Sequence, residues 1–187
     1  PNKFFDLPKD VLDDFRSSYQ YSREEVKAWN FNLDKRKSDK NFKNDWDLAI
    51  NDEIPSIEWP TFEPNQDIAT RKVWGSVIET LAPIKKTLVG GSADLEPSNV
   101  TAGFAKMVSD FNKDNPSGRN FAYGVREFPM GAINNGIAQH GGIKIFGATF
   151  FVFSDYERPA IRLRALQNLP VISEYTHDSI YVGEDGP

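Results

Sequence analysis

The sequence predicts an α/β fold in which a mostly parallel sheet is covered by helices and preceded by a charged helical connector. Two observations carry this. From Asp67 onward, helix-like and strand-like segments alternate and Gly or Pro punctuates them, the pattern of successive βα units. Residues 1 to about 60 differ: they are crowded with Lys, Asp, Asn and Glu, contain no Gly, and break at Pro55 and Pro60. A chain of 187 residues suffices for one α/β domain plus an appended segment, so the expected division is a connector, 1–60, and a domain, 61–187.

Within the connector, Phe4, Phe5, Val11, Leu12 and Phe15 can form the apolar stripe of a short helix. Ser22 can then cap a second helix that opens on Arg23, Glu24 and Glu25, with acid near its positive end. The stretch from Asp34 to Asp47 is highly charged and weakly periodic, which fits a solvated helix and a loop equally well.

The domain is expected to begin with a helix from Ile68 to Leu81, with Asp67 as N-cap and Pro83 just beyond its end. Thr87 to Gly91 reads as a short buried strand, after which Gly90-Gly91-Ser92 opens a loop whose backbone can approach a ligand. A helix near Thr101 to Phe111 follows, then a strand at Phe121 to Val125. Pro129 falls in the first turn of the next helix, where the ring is tolerated, and Gly141-Gly142 is placed to end that helix after His140. Ile143 to Phe151 reads as a strand. Ser154 is a candidate N-cap for an amphipathic helix over Asp155 to Asn168, with Arg158, Arg162 and Arg164 on its outer side, and Pro170 to Tyr175 supplies a further strand.

The formal charge of −5 argues against nucleic acid as a partner, because such proteins present a basic face. Absence of cysteine excludes disulfides and thiolate catalysis. The longest strongly apolar run, around Ile145 to Phe153, falls short of the roughly 20 residues a membrane span needs, and the first residues lack a signal-peptide plan. A soluble, cytoplasmic protein is therefore expected.

Chemistry centres on Tyr123 to Gly131, YGVREFPMG, which places Glu127 between a strand and a helix, where parallel α/β folds keep their sites. A Glu there can also do no more than complement the helix dipole. Phe150, Phe153 and Tyr156 recur at three-residue spacing and suit either a flat ligand ring or ordinary core packing. Phe151 is assigned to the core. Of the two histidines, His140 sits at a helix end and is assigned to the dipole.

Three segments in one order, GGSADLEPSN (Gly90 to Asn99), RNFAYGVREFPMGAINNGIAQ (Arg119 to Gln139) and THDSIYVGEDGP (Thr176 to Pro187), resemble the transketolase family. The resemblance implies the three-layer α/β/α thiamine diphosphate-binding fold, specifically its pyrimidine-binding domain with the C-terminal part missing. It further implies reversible transfer of a two-carbon unit from a ketose phosphate to an aldose phosphate, in the pentose phosphate pathway, by a homodimer that assembles its site between subunits. Glu127, in Arg126-Glu127-Phe128, matches the Glu that exchanges a proton with the cofactor's aminopyrimidine; Phe150, Phe153 and Tyr156 match its aromatic slot and Asp94 a residue near the cofactor. Arg71, Ser98, His177 and Asp185 match positions that bind the sugar phosphate, His177 being a catalytic position as well. The family's Gly-Asp-Gly metal motif does not occur in the chain, so ligands for Mg2+ or Ca2+ are expected to lie outside it, as is the Thr-His-Gln-Pro that usually follows Gly-Glu-Asp-Gly-Pro. A dihydroxyacetone synthase-like enzyme remains an alternative. For the isolated chain, so does a non-catalytic dimerisation or folding module.

Overall fold

The computed structural model describes residues 6–54 and 56–178, and the chain divides into two compact units between Asp47 and Leu48. In the first, α1 (Lys9–Arg36) follows Pro8 and carries Asp10 in its first turn and Lys35 and Arg36 in its last, each complementing the helix dipole. The two helices expected here are one. No Gly or Pro interrupts 9–36, and the Ser22 hydroxyl donates back to the Ser18 carbonyl at 3.0 Å instead of capping a new helix. The charged stretch after Asp34 resolves into the end of α1 and a second helix, α2 (Lys40–Ile50), because the Asp39 carboxylate accepts the Asn41 and Phe42 backbone N–H groups at 2.8 and 3.3 Å. Trp46 packs on Phe42 and Trp29, with ring centroids 6.0 and 6.2 Å away.

The second unit contains α3 (Thr70–Leu81), β1 (Leu88–Ser92), α4 (Ala102–Val108), α5 (Glu127–His140), β2 (Lys144–Phe150), α6 (Ser154–Leu166) and β3 (Ile172–Thr176). A 3-10 turn, Phe151–Phe153, joins β2 to α6. The strands form a parallel sheet in the order β1-β2-β3, with Gly90 opposite Phe146 and Phe146 opposite Ile172. Five consecutive residues of β2, Ile145 to Thr149, are buried, as expected for a strand with helices on both faces. Ile78, Ala82, Leu88, Phe104, Val108 and Phe146 form the main core. Phe146 lies edge-on to both Trp74 and Phe104, with centroids 5.5 and 5.1 Å apart.

Several local expectations are corrected. Asp67 does not cap α3, which begins two residues later than predicted with Ala69 in the cap position. Gly90 and Gly91 lie inside β1 and not in a ligand loop: a Cβ at Gly91 would stand 2.1 Å from the Phe121 carbonyl oxygen, and Gly90, at φ 152°, lies against Phe146. The segment predicted as a strand at Phe121 to Val125 only runs beside β1, donating from Phe121 and Tyr123 to the Gly90 and Ser92 carbonyls at 2.9 and 3.3 Å. The turn at Gly124, φ 65°, ends that pairing. Arg119 holds this segment down by donating to the Ala82, Lys85 and Leu88 carbonyls at 2.7, 3.1 and 3.2 Å.

Candidate active site

Glu127 is the first residue of α5, buried at 8% exposure, and among the described residues it has no hydrogen-bond or ion-pair partner. Its backbone is set locally. Gly124 turns the chain, the Arg126 N–H donates to the Gly124 carbonyl at 2.7 Å, and the Arg126 guanidinium donates to the Tyr123 carbonyl at 2.9 Å. Behind it, the Tyr123 hydroxyl donates to the Asn134 side-chain oxygen at 2.5 Å, and burial pushes the Tyr123 phenol well above its usual range.

Phe150 ends β2, and the 3-10 turn brings Phe153 back over it, so their rings stack at 5.7 Å with planes 8° apart. Tyr156, one turn into α6 and exposed, lies 6.1 Å from Phe153. Phe151 is exposed and not part of the core, because the strand ends one residue earlier and side-chain alternation stops with it. Parallel rings with an open flank suit a flat heteroaromatic ligand.

Three of the predicted substrate residues, 106 positions apart in sequence at the extremes, converge. The Arg71 guanidinium donates to the Ser98 carbonyl at 3.0 Å and meets His177 Nδ1 at 3.1 Å. His177 in turn lies edge-on to Phe150 at 4.9 Å, which joins this cluster to the aromatic slot. Ser98 therefore enters through its carbonyl, which points it toward Arg71. A buried chain of polar groups holds the loop: Thr176 donates to Asn99 at 2.9 Å and Asn99 to the Ser92 hydroxyl at 2.8 Å, tying β3 to β1. Asp94 is exposed at φ 64° and has no partner among the described residues, since Ser92 accepts the Leu95 N–H and closes the turn itself. His140 stays at its helix end, against the Gly141 carbonyl. Asp185 lies outside the described residues.

Sequence reasoning missed three polar groups here. A cavity of about 590 Å³ opens beside Arg71 and His177, walled by Trp74 and Glu174. Burial pushes the Glu174 carboxyl up to about 8, against weaker opposing pulls from the Trp74 indole and the Arg71 guanidinium. Among the described residues, neither the indole N–H nor the Glu174 oxygens reach hydrogen-bonding geometry with a partner. The third is Arg164, expected on the outer side of its helix but buried at 9% exposure and paired with Glu157 at 2.8 Å. Among the described residues no group of three or more His, Cys, Asp or Glu could hold a metal ion, and no helix is long and apolar enough to cross a membrane.

Comparison with known proteins places the chain in a family. Residues 66–187 match the family described as transketolase, pyrimidine binding domain. Transketolases of Halalkalibacterium halodurans and Bacillus subtilis are 45% and 46% identical to the chain over 188 and 189 residues, covering 98% of it and 28% of each relative. The chain thus spans about 28% of the length of these curated relatives. Among solved structures, transketolase from Leishmania mexicana superposes with a TM-score of 0.90 at 39% identity, over 100% of this chain and 28% of that one. A Pichia stipitis transketolase in complex with sedoheptulose 7-phosphate gives a TM-score of 0.88 at 35% identity, over 100% of this chain and 29% of that one. The chain belongs to the transketolase family, and residues 66–187 are its pyrimidine-binding domain.

Proposed function

We propose that the chain supplies the pyrimidine-binding half of a transketolase active site, within a longer polypeptide that works as a cytoplasmic homodimer. When bound, thiamine diphosphate supplies the nucleophilic carbon and electron sink that two-carbon transfer between sugar phosphates requires. Glu127 would hold and exchange a proton with the aminopyrimidine nitrogen, and the observation that carries the reading is this carboxyl, buried beside the turn at Gly124 and without a partner among the described residues. Phe150, Phe153 and Tyr156 would supply the aromatic contacts that hold the ring, and Asp94 would bind the cofactor as well. Arg71, Ser98, His177 and Asp185 hold the sugar phosphate: Arg71 offers parallel donors to phosphate oxygens, and the Arg71–His177 contact of 3.1 Å sets both on one anion. His177 is also suited to move a proton at a sugar hydroxyl. Ligands for Mg2+ or Ca2+ come from elsewhere in the polypeptide.

The test is Glu127→Gln in the full-length protein. The amide keeps the shape and loses the exchangeable proton, so hydrogen–deuterium exchange at the thiazolium carbon should slow by at least roughly 10²-fold, the low end for a positioned acid–base group. Unchanged exchange removes Glu127 from the mechanism.

A further inference from the structure

Glu157 is a charged side chain at 1% exposure, and nothing in the proposed chemistry uses it. One oxygen accepts from the Arg164 guanidinium at 2.8 Å and the other from the Tyr175 hydroxyl at 2.9 Å. Arg164 also donates to the Ser173 hydroxyl, so α6 is fastened to β3 at two points. On its other side Glu157 lies against α5: a Cβ at Gly131 would stand 2.6 Å from its oxygen and 2.8 Å from the Ala160 Cβ. Asn135 of α5 donates to the Ala160 carbonyl at 2.9 Å, which locks the same two helices.

Each element that meets at this carboxylate carries part of the proposed site. Glu127 stands one turn before Gly131 on α5. Tyr156 precedes Glu157 on α6. His177 follows Tyr175 by two residues, just beyond the end of β3, and the Tyr175 ring lies edge-on to Phe151 in the 3-10 turn that carries Phe153, at 6.2 Å. Burial and the neighbouring Glu157 charge push the Tyr175 phenol up to about 12, so its hydroxyl keeps its proton and remains a donor throughout the physiological range.

We propose that Glu157 is a positioning residue: with Arg164 and Tyr175 it sets the spacing between the acid–base carboxyl, the aromatic slot and the sugar-phosphate histidine. This rests on the function proposed above. A buried ion pair is weak evidence for stability, since apolar residues of similar volume often replace one without loss, whereas breaking it from one side is costly. That contrast separates positioning from support.

In the full-length protein, the dissociation constant for thiamine diphosphate with Mg2+, the Michaelis constant for a ketose phosphate and the melting temperature would be measured for wild type, Glu157→Leu/Arg164→Leu and Tyr175→Phe. The double variant is expected to melt near the wild-type temperature yet bind the cofactor roughly tenfold more weakly, the scale on which small misplacements act in preorganised sites. Tyr175→Phe removes a single hydroxyl, leaves the ion pair, and should weaken cofactor binding in the same direction with the fold intact; it serves if the double variant does not fold. Wild-type affinity in Tyr175→Phe, or in a folded double variant, overturns the positioning role while leaving the proposed function standing. Wild-type protein that binds no thiamine diphosphate overturns both.

Discussion

Replacing Glu174 by Gln should stabilise the protein in alkaline solution and do little in mild acid. The carboxyl rises from an ordinary 4.5 to about 8 in the fold, chiefly through burial. Between those values the folded state holds a proton that the unfolded state has released, so stability is full below about 4.5 and is lost as pH rises toward 8. At about 1.36 kcal/mol per pKa unit the whole displacement would correspond to roughly 5 kcal/mol. Solvent reaches part of the side chain, so a realistic loss is on the order of 2 kcal/mol. Gln carries the neutral form's shape at every pH and escapes this loss. Urea unfolding of wild type and Glu174→Gln at pH 5 and pH 8.5 reads the effect directly: the variant's advantage should grow between the two by about 2 kcal/mol. Parallel stability profiles would mean that Glu174 is ionised in the fold at neutral pH, and the burial argument would be wrong.

Arg71→Ala should raise the Michaelis constant for phosphorylated substrates by an amount worth about 1.5–3 kcal/mol, with little change for an unphosphorylated donor and acceptor pair; equal losses for both would make Arg71 structural. Asp52 bridges Lys85 at 2.9 Å and Lys144 at 2.5 Å, and although burial pushes its carboxyl up, the two ammonium groups hold it below the usual range. Asp52→Ala leaves the Lys85 side chain, 5% exposed, with the Glu53 carbonyl as its one partner among the described residues, and should cost about 2–3 kcal/mol by calorimetry; a loss under ~0.5 kcal/mol would show that the bridge is solvent-screened. The 187-residue chain alone should show no transketolase turnover with thiamine diphosphate and Mg2+, because a diphosphate without its metal lacks an electrostatic anchor. A rate near that of an intact transketolase would refute this.

What was legible in the sequence is what depends on neighbours along the chain. The helix that starts at Glu127, the spacing of Phe150, Phe153 and Tyr156, and the three strands of the parallel sheet are short-range patterns, and they stand within a residue or two of their predicted places. Phe151 failed for a local reason that no alternation rule contains: the chain leaves the strand one residue early and winds into a 3-10 turn. That winding is also what folds Phe153 over Phe150. The exposure of one ring and the stacking of the other two have the same cause.

The groups that escaped prediction owe their state to partners far away in sequence. Glu174 reads as a solvent-facing residue of a half-exposed strand until Trp74, a hundred positions earlier, closes over it. Arg164 reads as an outer-face charge until Glu157 lies beneath it. Yet that pair carried a signal. Glu157, Ala160 and Arg164 recur at the three- and four-residue steps of a single helix face, and Ala160 belongs to the buried side. An acid and a base two turns apart on an apolar face cannot both stay charged there unless they meet, so their burial and their pairing are one inference. A helix reading that asks what each charge would face if its side were buried would have found the ion pair, and with it the junction of α5, α6 and β3 proposed to position the site.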